Sequence, residues 1–273
     1  MASLIAGRTL GVAKEAKIVP VRAFGCGGTA TIAEVVDGLE WIVTDASAAG
    51  SKAVINMSFY SEAGLEESDG TVVANYPPDG SDPDGDGCWM KTAGAGVQYK
   101  VCALSGMEAA VQTLLSHGHT VVAAAGNSYQ KVGDNPRHSP AWMPGVITAG
   151  AVDQTDHVWR SSLSIGTEGA GSCYGAEIDV FSTAVNIQVA SSTNRNDPSL
   201  QRTESGTSFA AAMVSGVAAR WLQTYPGYTG DLIQGLIVSD AKGVVNGLPA
   251  GSDTPNKMLY KSMGRCSAVS TCP

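Results

Sequence analysis

Short apolar runs along the chain alternate with longer segments in which apolar residues recur every three or four positions. The short runs are bounded by glycine and polar residues, which is typical of buried strands. The predicted strands are residues 16–24, 52–59, 120–127, 145–152 and 176–182. The longer segments predict helices, at about 31–43, at 104–118, around Ser208 up to about Tyr225, and at 229–241. Buried strands separated by helices indicate an α/β fold with a mostly parallel sheet covered on both faces.

One acidic region interrupts this alternation. Residues 64–104 are rich in Asp, Gly and Pro, and we interpret them as an insertion in a single domain that spans residues 1–273, with a cysteine-containing tail at 263–273. Inside the insertion, three aspartates at alternate positions precede Gly87, as at the opening of a calcium loop, but Ala93 stands where such a loop needs its bidentate acid. A calcium loop and a solvated acidic turn are the two interpretations of Asp82, Asp84 and Asp86.

Charge and hydropathy narrow the classes of partner. The formal net charge is −8 at pH 7, which repels phosphate backbones and argues against nucleic acid as a ligand. No apolar run reaches the roughly 18 residues that a membrane-spanning helix needs, so we expect no membrane anchor. The opening MASLIAGRTLGVAKE has a short apolar part and no basic lead, so it does not resemble a signal peptide.

Six cysteines without a CxxC pair favour disulfides over a zinc site. The short loops Cys88–Cys102 and Cys266–Cys272 are the easiest to close, which leaves Cys26 for Cys173 by elimination. An even number of widely spaced cysteines is typical of an oxidising compartment. The alternative is six free thiols in a cytosolic protein.

Ser208 is the strongest candidate for chemistry. It follows Gly-Thr at the start of a predicted helix, where unpaired backbone N–H groups and the helix dipole favour negative charge. An N-cap serine would look similar. The helix that follows is rich in alanine and glycine, which allows very close packing against a sheet. Asn127 directly follows a buried strand, and its amide could donate to a developing oxyanion together with the N–H of Ser208.

Two other motifs are weak. The stretch FGCGGTA fits a dinucleotide-binding turn through Gly25, Gly27 and Ala30, but the next strand ends without the acid that such a fold needs. A tight turn explains it better. Ser208 also does not fit the nucleophile elbow G-x-S-x-G, because Ala210 occupies the last position.

Several segments resemble the subtilases, the relatives of subtilisin and proteinase K. GTSFAAAMVSG is similar to their nucleophile motif Gly-Thr-Ser-x-Ala-x-Pro-x-Val-x-Gly, and VVAAAGN to their oxyanion strand. GVAKEAKIVPVRAF, VVDGLEWI, SPAWMPGVITAGAV, IDVFS and TPNKMLY follow in the family's order, over about residues 2–261. The resemblance implies a three-layer subtilisin-like α/β fold and a serine endopeptidase, with Ser208 as nucleophile and Asn127 in the oxyanion hole.

The resemblance also implies a substrate site. In the family an extended peptide lies as an added strand between two backbone segments, and a third segment forms the wall of the pocket before the scissile bond. The implied substrate-binding residues are Gly28, Thr29 and Ala30, then Ser58, Phe59 and Tyr60, with Ala124, Ala125 and Gly126 as the pocket wall. Phe59 and Tyr60 replace the family's Leu-Gly, so side-chain preference does not carry over.

Two further features come from the resemblance alone. The carbonyls of Pro144 and Val146 with the carboxylate of Asp179 match a structural calcium site of the proteinase K branch. No cofactor is expected for the chemistry itself. We also predict a cis peptide bond at Ser139-Pro140.

The departures from the family concern both the helix and the base. Ala212 and Met213 replace the family's proline and histidine, which we expect to shift packing more than chemistry. The family's aspartate strand and the His-Gly-Thr-His opening of the next helix have no counterpart, because MASLIAG reads as the remainder of that helix. We therefore expect an N-terminally incomplete domain that lacks its general base, which in subtilisin is worth on the order of 10⁶ in turnover. None of the internal histidines is a good substitute: His117, His119, His138 and His157.

These observations lead to two hypotheses. The first is the fragment of a secreted, monomeric serine endopeptidase whose complete form carries a propeptide and cleaves polypeptides. The second is a pseudo-protease that binds peptides without cutting them, or that needs a partner chain to restore its sheet.

Overall fold

The computed structural model describes residues 1–48, 50, 52–62, 88–92, 98–102, 105–133, 138–161, 170–191 and 201–261. The helices in these ranges are α1 (Ala2–Ala6), α2 (Ile32–Ala48), α3 (Ser105–Ser116), α4 (Thr207–Thr224) and α5 (Gly230–Asp240). The strands are β1 (Val54–Met57), β2 (Ser61–Glu62), β3 (Cys88–Thr92), β4 (Gln98–Cys102), β5 (Thr120–Ala124), β6 (His138–Ser139), β7 (Val146–Val152), β8 (Val180–Thr183), β9 (Ile187–Ala190) and β10 (Gln201–Glu204).

The central sheet of the described residues has four strands in the order β1-β5-β7-β8. All three pairings are parallel. Every residue of β5 and β7 is buried, which agrees with their continuous apolar sequences. The sheet therefore confirms four of the five predicted strands.

Helices cover both faces of this sheet. Val121 and Ala123 of β5 belong to a core formed with α2 and α3. Val122 and Ala124, the alternate positions, belong to a second core formed with α1, α4 and α5. The period of two along β5 thus divides its side chains between two layers of helices. The predicted three-layer α/β fold is confirmed.

Small residues bring α4 close to its neighbours. Ala210, Ala211, Ala212 and Ala218 have no exposed surface. A Cβ atom added to Gly216 would lie 2.7 Å from the Cβ of Val12, so only glycine fits at that contact. The close packing expected from the alanine-rich sequence is confirmed.

The predicted strand at residues 16–24 is wrong. This segment has no assigned strand, and Ile18 and Val19 are 39% and 49% exposed. Its apolar sequence has the propensity for a strand, but a strand also needs a neighbour with which to hydrogen-bond. Among the described residues β1 pairs with β5 alone, and no strand pairs with residues 16–24.

Three short antiparallel ribbons were not predicted from the sequence: β2 with β6, β3 with β4, and β9 with β10. The ribbon of β3 and β4 lies within residues 64–104, and Asp82, Asp84 and Asp86 of that range fall outside the described residues. None of the described helices combines the length and the apolar character needed to cross a membrane.

The predicted pairing of Cys26 with Cys173 is wrong. Both are free thiols, Cys26 exposed and Cys173 buried. Elimination ignored where each cysteine lies, since Cys26 is in an exposed turn and Cys173 is in the core. Cys88 and Cys102 are opposite each other in the backbone register of β3 and β4, and their disulfide stays a prediction. Cys266 and Cys272 lie outside the described residues.

Candidate active site

Ser208 is the second residue of α4 and does not cap it. The N-cap is Gly206, and no side chain makes the capping hydrogen bond. The Ser208 hydroxyl instead donates to the carbonyl oxygen of Ser58 at 2.8 Å, and the Ser58 hydroxyl donates to the carbonyl oxygen of Ser208, also at 2.8 Å. This reciprocal pair joins the first turn of α4 to the residue that directly follows β1.

Asn127 is fixed against the same turn of α4. Its Oδ1 accepts hydrogen bonds from the backbone N–H of Thr207 at 3.0 Å and from the Thr207 hydroxyl at 2.8 Å. The backbone N–H of Gly126 donates to that hydroxyl oxygen at 3.2 Å. With Oδ1 occupied in this way, the Nδ2 end of the Asn127 amide is the end left to donate. Asn127 and Ser208 therefore lie on the same side of the molecule.

The topology of the sheet explains this convergence. Parallel strands end at a common edge, where the crevice at their carboxyl ends collects functional residues. Ser58 follows β1 and Asn127 follows β5 closely at that edge. The N-terminus of α4 reaches the same edge and contributes the backbone N–H of Ser208 and the positive end of the helix dipole.

The pocket wall implied by the family is rigid. Ala124 and Ala125 are buried, at 1% and 0% exposure, and Gly126 has a φ of 108°. A Cβ atom at Gly126 would lie 2.6 Å from Nδ1 of His138 and 3.0 Å from Sγ of Cys173. Glycine is thus required at this position both by its backbone conformation and by its neighbours.

His138 contacts both this wall and Tyr60 of the segment Ser58–Tyr60. Its Nδ1 donates to the carbonyl oxygen of Ala125 at 2.9 Å, since a carbonyl oxygen can only accept. Its ring centroid lies 4.4 Å from that of Tyr60. The side chain is completely buried. Sequence reasoning rejected His138 as a base, and no pattern around it indicated that it is buried between two predicted substrate segments.

Cys173 lies behind the same wall. Its Sγ is 3.3 Å from the hydroxyl of Ser128. Burial alone raises the pKa of the Cys173 thiol, but the hydrogen bond and charge of His138, with the Ser128 hydroxyl, outweigh burial and bring the pKa below its ordinary value. The backbone N–H of Cys173 donates to the carbonyl oxygen of Gly126 at 3.0 Å, so Cys173 supports the pocket wall, which sequence reasoning did not identify.

The second side of the predicted cleft is an exposed turn. The N–H of Gly25 donates to the carbonyl oxygen of Thr29 at 3.0 Å, and Gly28 has a φ of 78°. Gly28 and Thr29 are exposed, and Ala30 is partly buried. The rings of Phe24 and Phe59 meet edge to face with their centroids 5.0 Å apart. This aromatic contact connects the turn to the segment Ser58–Tyr60.

The histidines do not meet Ser208. Within the described part of the chain, which includes every histidine, no hydrogen bond joins an imidazole to Ser208. His117 and His119 lie at the start of β5, at the end of the strand opposite Asn127. His157 contacts Thr155 in an exposed turn, and His138 is directed to Ala125.

Comparison with known proteins identifies the family. The model of the subtilase family matches residues 1–260. The chain belongs to the subtilase family.

Similar subtilases include the extracellular serine proteinase of Thermus sp. (strain Rt41A), 31% identical over 264 residues that cover 95% of this chain and 49% of that protein. Subtilisin-like proteinase Mp1 of Magnaporthiopsis poae is 31% identical over 278 residues, covering 96% and 53%. The crystal structure of a cold adapted subtilisin-like serine proteinase matches with a TM-score of 0.65 and 29% identity, covering 94% of this chain and 71% of that one. The chain spans about half the length of the curated relatives it matches.

The structure also describes the residues of two smaller predictions about this subtilase. The peptide bond Ser139-Pro140 is cis, as predicted.

At the implied calcium ligands, Oδ2 of Asp179 accepts a hydrogen bond from the N–H of Thr148 at 2.7 Å, and Oδ1 accepts one from Nε2 of Gln234 at 2.9 Å. Burial raises the pKa of Asp179 to about 6, against the lowering effect of these two hydrogen bonds. Among the described residues no group of three or more His, Cys, Asp or Glu side chains is placed to hold a metal ion.

Proposed function

We propose that this subtilase chain carries the nucleophile, oxyanion and substrate-binding part of a serine endopeptidase that hydrolyses polypeptides through an acyl-enzyme on Ser208. The hydrogen bonds from Thr207 to Asn127 carry the proposal. They fix the orientation of the amide beside the residue that precedes the nucleophile. A preorganised amide of this kind stabilises charge where it develops in the transition state.

The roles of the groups follow from this arrangement. The Ser208 hydroxyl attacks the carbonyl carbon of the scissile bond, and the resulting oxyanion is stabilised by Nδ2 of Asn127 and the backbone N–H of Ser208. The peptide lies between the turn Gly28–Ala30 and the segment Ser58–Tyr60 as an added strand. The wall Ala124–Gly126 contacts the side chain that precedes the scissile bond.

Hydrolysis requires an acceptor for the proton of Ser208. The chain has four histidines, and the structure places each of them away from a hydrogen bond with Ser208. We therefore propose that the general base and its orienting aspartate come from residues outside 1–273. The name of the Thermus relative supports the further proposal that the complete protein is extracellular. A propeptide and a monomeric state follow from the family resemblance.

A second candidate function is peptide binding without hydrolysis. The observation that favours it is the contact of the Ser208 hydroxyl with the Ser58 carbonyl, which leaves the nucleophile paired with an acceptor that cannot take its proton. The two functions share a substrate site and differ only in whether a base is supplied.

Labelling by a fluorophosphonate probe tests the proposal. Residues 1–273 alone are expected to label weakly, and the protein produced from the complete reading frame is expected to label strongly at Ser208. Ser208→Ala is the blank. Thr207→Val removes the hydroxyl that donates to Asn127 and is expected to lower labelling. Thr207→Ser keeps that hydroxyl and is expected to retain labelling.

The outcomes separate the alternatives. Strong labelling of residues 1–273 alone would show that our assignment of the base is wrong. Absence of labelling in the complete protein, with saturable binding of an unstructured peptide by calorimetry, would favour the peptide-binding function. Labelling that is unchanged in Thr207→Val would contradict the role of the Asn127 amide.

A further inference from the structure

The carboxylate of Asp179, a partly buried residue, lies just before β8 and is held from two sides. The backbone N–H of Asp179 donates to the carbonyl oxygen of Thr148 at 3.0 Å, and the N–H of Thr148 donates to Oδ2 of Asp179 at 2.7 Å. This reciprocal pair fixes the carboxylate against the middle of β7. Its second oxygen, Oδ1, is left to face α5.

Gln234 of α5 meets that second oxygen. Its Nε2 donates to Oδ1 of Asp179 at 2.9 Å and lies 3.4 Å from the carbonyl oxygen of Val146, to which it also donates. Ile233 and Ile237, on either side along α5, have no exposed surface and anchor the helix to the sheet. The Gln234 amide nitrogen therefore sits between two oxygens that belong to β7 and to the approach to β8.

These two oxygens are two of the three ligand groups that the family resemblance implies for calcium. Calcium needs six to eight oxygen ligands at about 2.3–2.6 Å. Here the two oxygens converge on an N–H₂ group, whose hydrogens repel a cation and occupy the lone pairs that would bind it. The donor set fits an amide better than it fits a calcium ion.

We propose that the Gln234 amide takes the place of a structural calcium ion in this chain, cross-linking Asp179 and the Val146 carbonyl by hydrogen bonds. The consequence is a fold whose stability at this position does not respond to calcium or to its removal. The inference concerns stability and is independent of the proposed peptidase activity.

Thermal unfolding of residues 1–273 in millimolar calcium and in chelator tests the inference. The wild-type Tm is expected to be the same in both. Gln234→Glu replaces the amide nitrogen with a second carboxylate oxygen, which gives calcium a site. Its Tm is expected to rise by roughly 5 °C on addition of calcium, because a ligand that binds only the folded state stabilises it.

Asp179→Asn is the matched control. The acidic insertion could bind calcium on its own, and a response from that region would persist in Asp179→Asn, whereas a response at the Asp179 position would be lost. A wild-type Tm that rises with calcium, and no longer does so in Asp179→Asn, would overturn the inference. Absence of any calcium response in a folded Gln234→Glu protein would also contradict it, because the two oxygens would then not form a latent site.

Terbium luminescence provides a second measurement, which detects ion binding directly and not through stability. Terbium replaces calcium at oxygen sites and is sensitised by nearby aromatic residues. Wild type and Asp179→Asn are expected to give the same titration. A saturable terbium signal that depends on Asp179 would show that the amide does not exclude the ion.

Discussion

The pocket wall and the exposed turn of the predicted substrate site are built in opposite ways. The wall Ala124–Gly126 continues a fully buried strand and is in contact with a buried histidine and a buried thiol. The turn Gly28–Ala30 is largely exposed and is held by a local backbone hydrogen bond and by the contact of Phe24 with Phe59. One side is fixed by the core and the other by a few local contacts.

This difference shows which part of the proposed site has a fixed geometry. The groups that we assign to chemistry, Ser208 and Asn127, are on the side fixed by the core, through Thr207 and the end of β5. In the proposed site, the exposed turn is the part that can adjust to a peptide with little cost to the rest of the fold. Sites that need exact geometry are best placed on rigid elements, and this chain follows that division.

The largest effect is expected for a methyl group added to the buried wall. Gly126→Ala forces a Cβ atom against Nδ1 of His138 and Sγ of Cys173 while the backbone keeps a positive φ. Strain in the left-handed region and overpacking together are expected to lower the free energy of unfolding by about 3 kcal/mol. Urea denaturation, with the midpoint and slope compared to wild type, measures this loss.

Gly28→Ala is the matched control on the exposed side. Gly28 also has a positive φ, but a Cβ atom there would meet nothing within 4 Å. The expected loss is about 1 kcal/mol, from backbone strain alone. Equal losses in the two variants would contradict the contrast between the two sides of the cleft.

The elements of the buried side were the ones that the sequence predicted well. The burial of β5 and β7 on both faces can be predicted without information about distant residues, because both strands are almost entirely apolar in sequence. The small residues of α4 likewise predicted its close packing. The convergence of Ser208 with Asn127 was expected from the position of Asn127 directly after a buried strand and from the family resemblance.

What the sequence could not predict depends on neighbours. Residues 16–24 have the apolar character of a strand but no described strand lies beside them, and a propensity does not supply a partner. The burial of His138 depends on its contacts with Tyr60 and Ala125, which lie far from it in sequence. The place of Gln234 beside Asp179 depends on how α5 crosses the sheet.

A smaller effect is expected for the contact that attaches the exposed turn. Phe24 and Phe59 meet edge to face, and both are only partly buried. A double-mutant cycle with Phe24→Leu and Phe59→Leu is expected to give a coupling energy of about 1 kcal/mol in chemical unfolding. The same variants are expected to weaken peptide binding, because Phe59 lies in one predicted substrate-binding segment and its contact with Phe24 holds the turn that forms another. Additive losses of stability would show that the two rings do not hold the turn.

The smallest effect is a pH dependence at the start of the buried strand. His119 directly precedes β5 and is 3% exposed. Its Nδ1 accepts a hydrogen bond from the N–H of Ala53 at 3.2 Å. Burial, followed by the nearby positive charges of Lys52 and His117, lowers the pKa of His119 in the folded protein. The unfolded chain therefore takes up this proton first as the pH falls.

The sign of the effect follows from that order. Because the unfolded state binds more protons, the free energy of unfolding is expected to decrease as the pH falls below the ordinary histidine pKa of about 6.5. His119→Asn keeps an acceptor near the position of Nδ1 and removes the titration, so its stability is expected to change less over the same range. Lys52→Gln removes one of the two charges and is expected to reduce the pH dependence in part. Chemical unfolding at a series of pH values measures all three proteins, and identical pH profiles for wild type and His119→Asn would exclude His119 as the source.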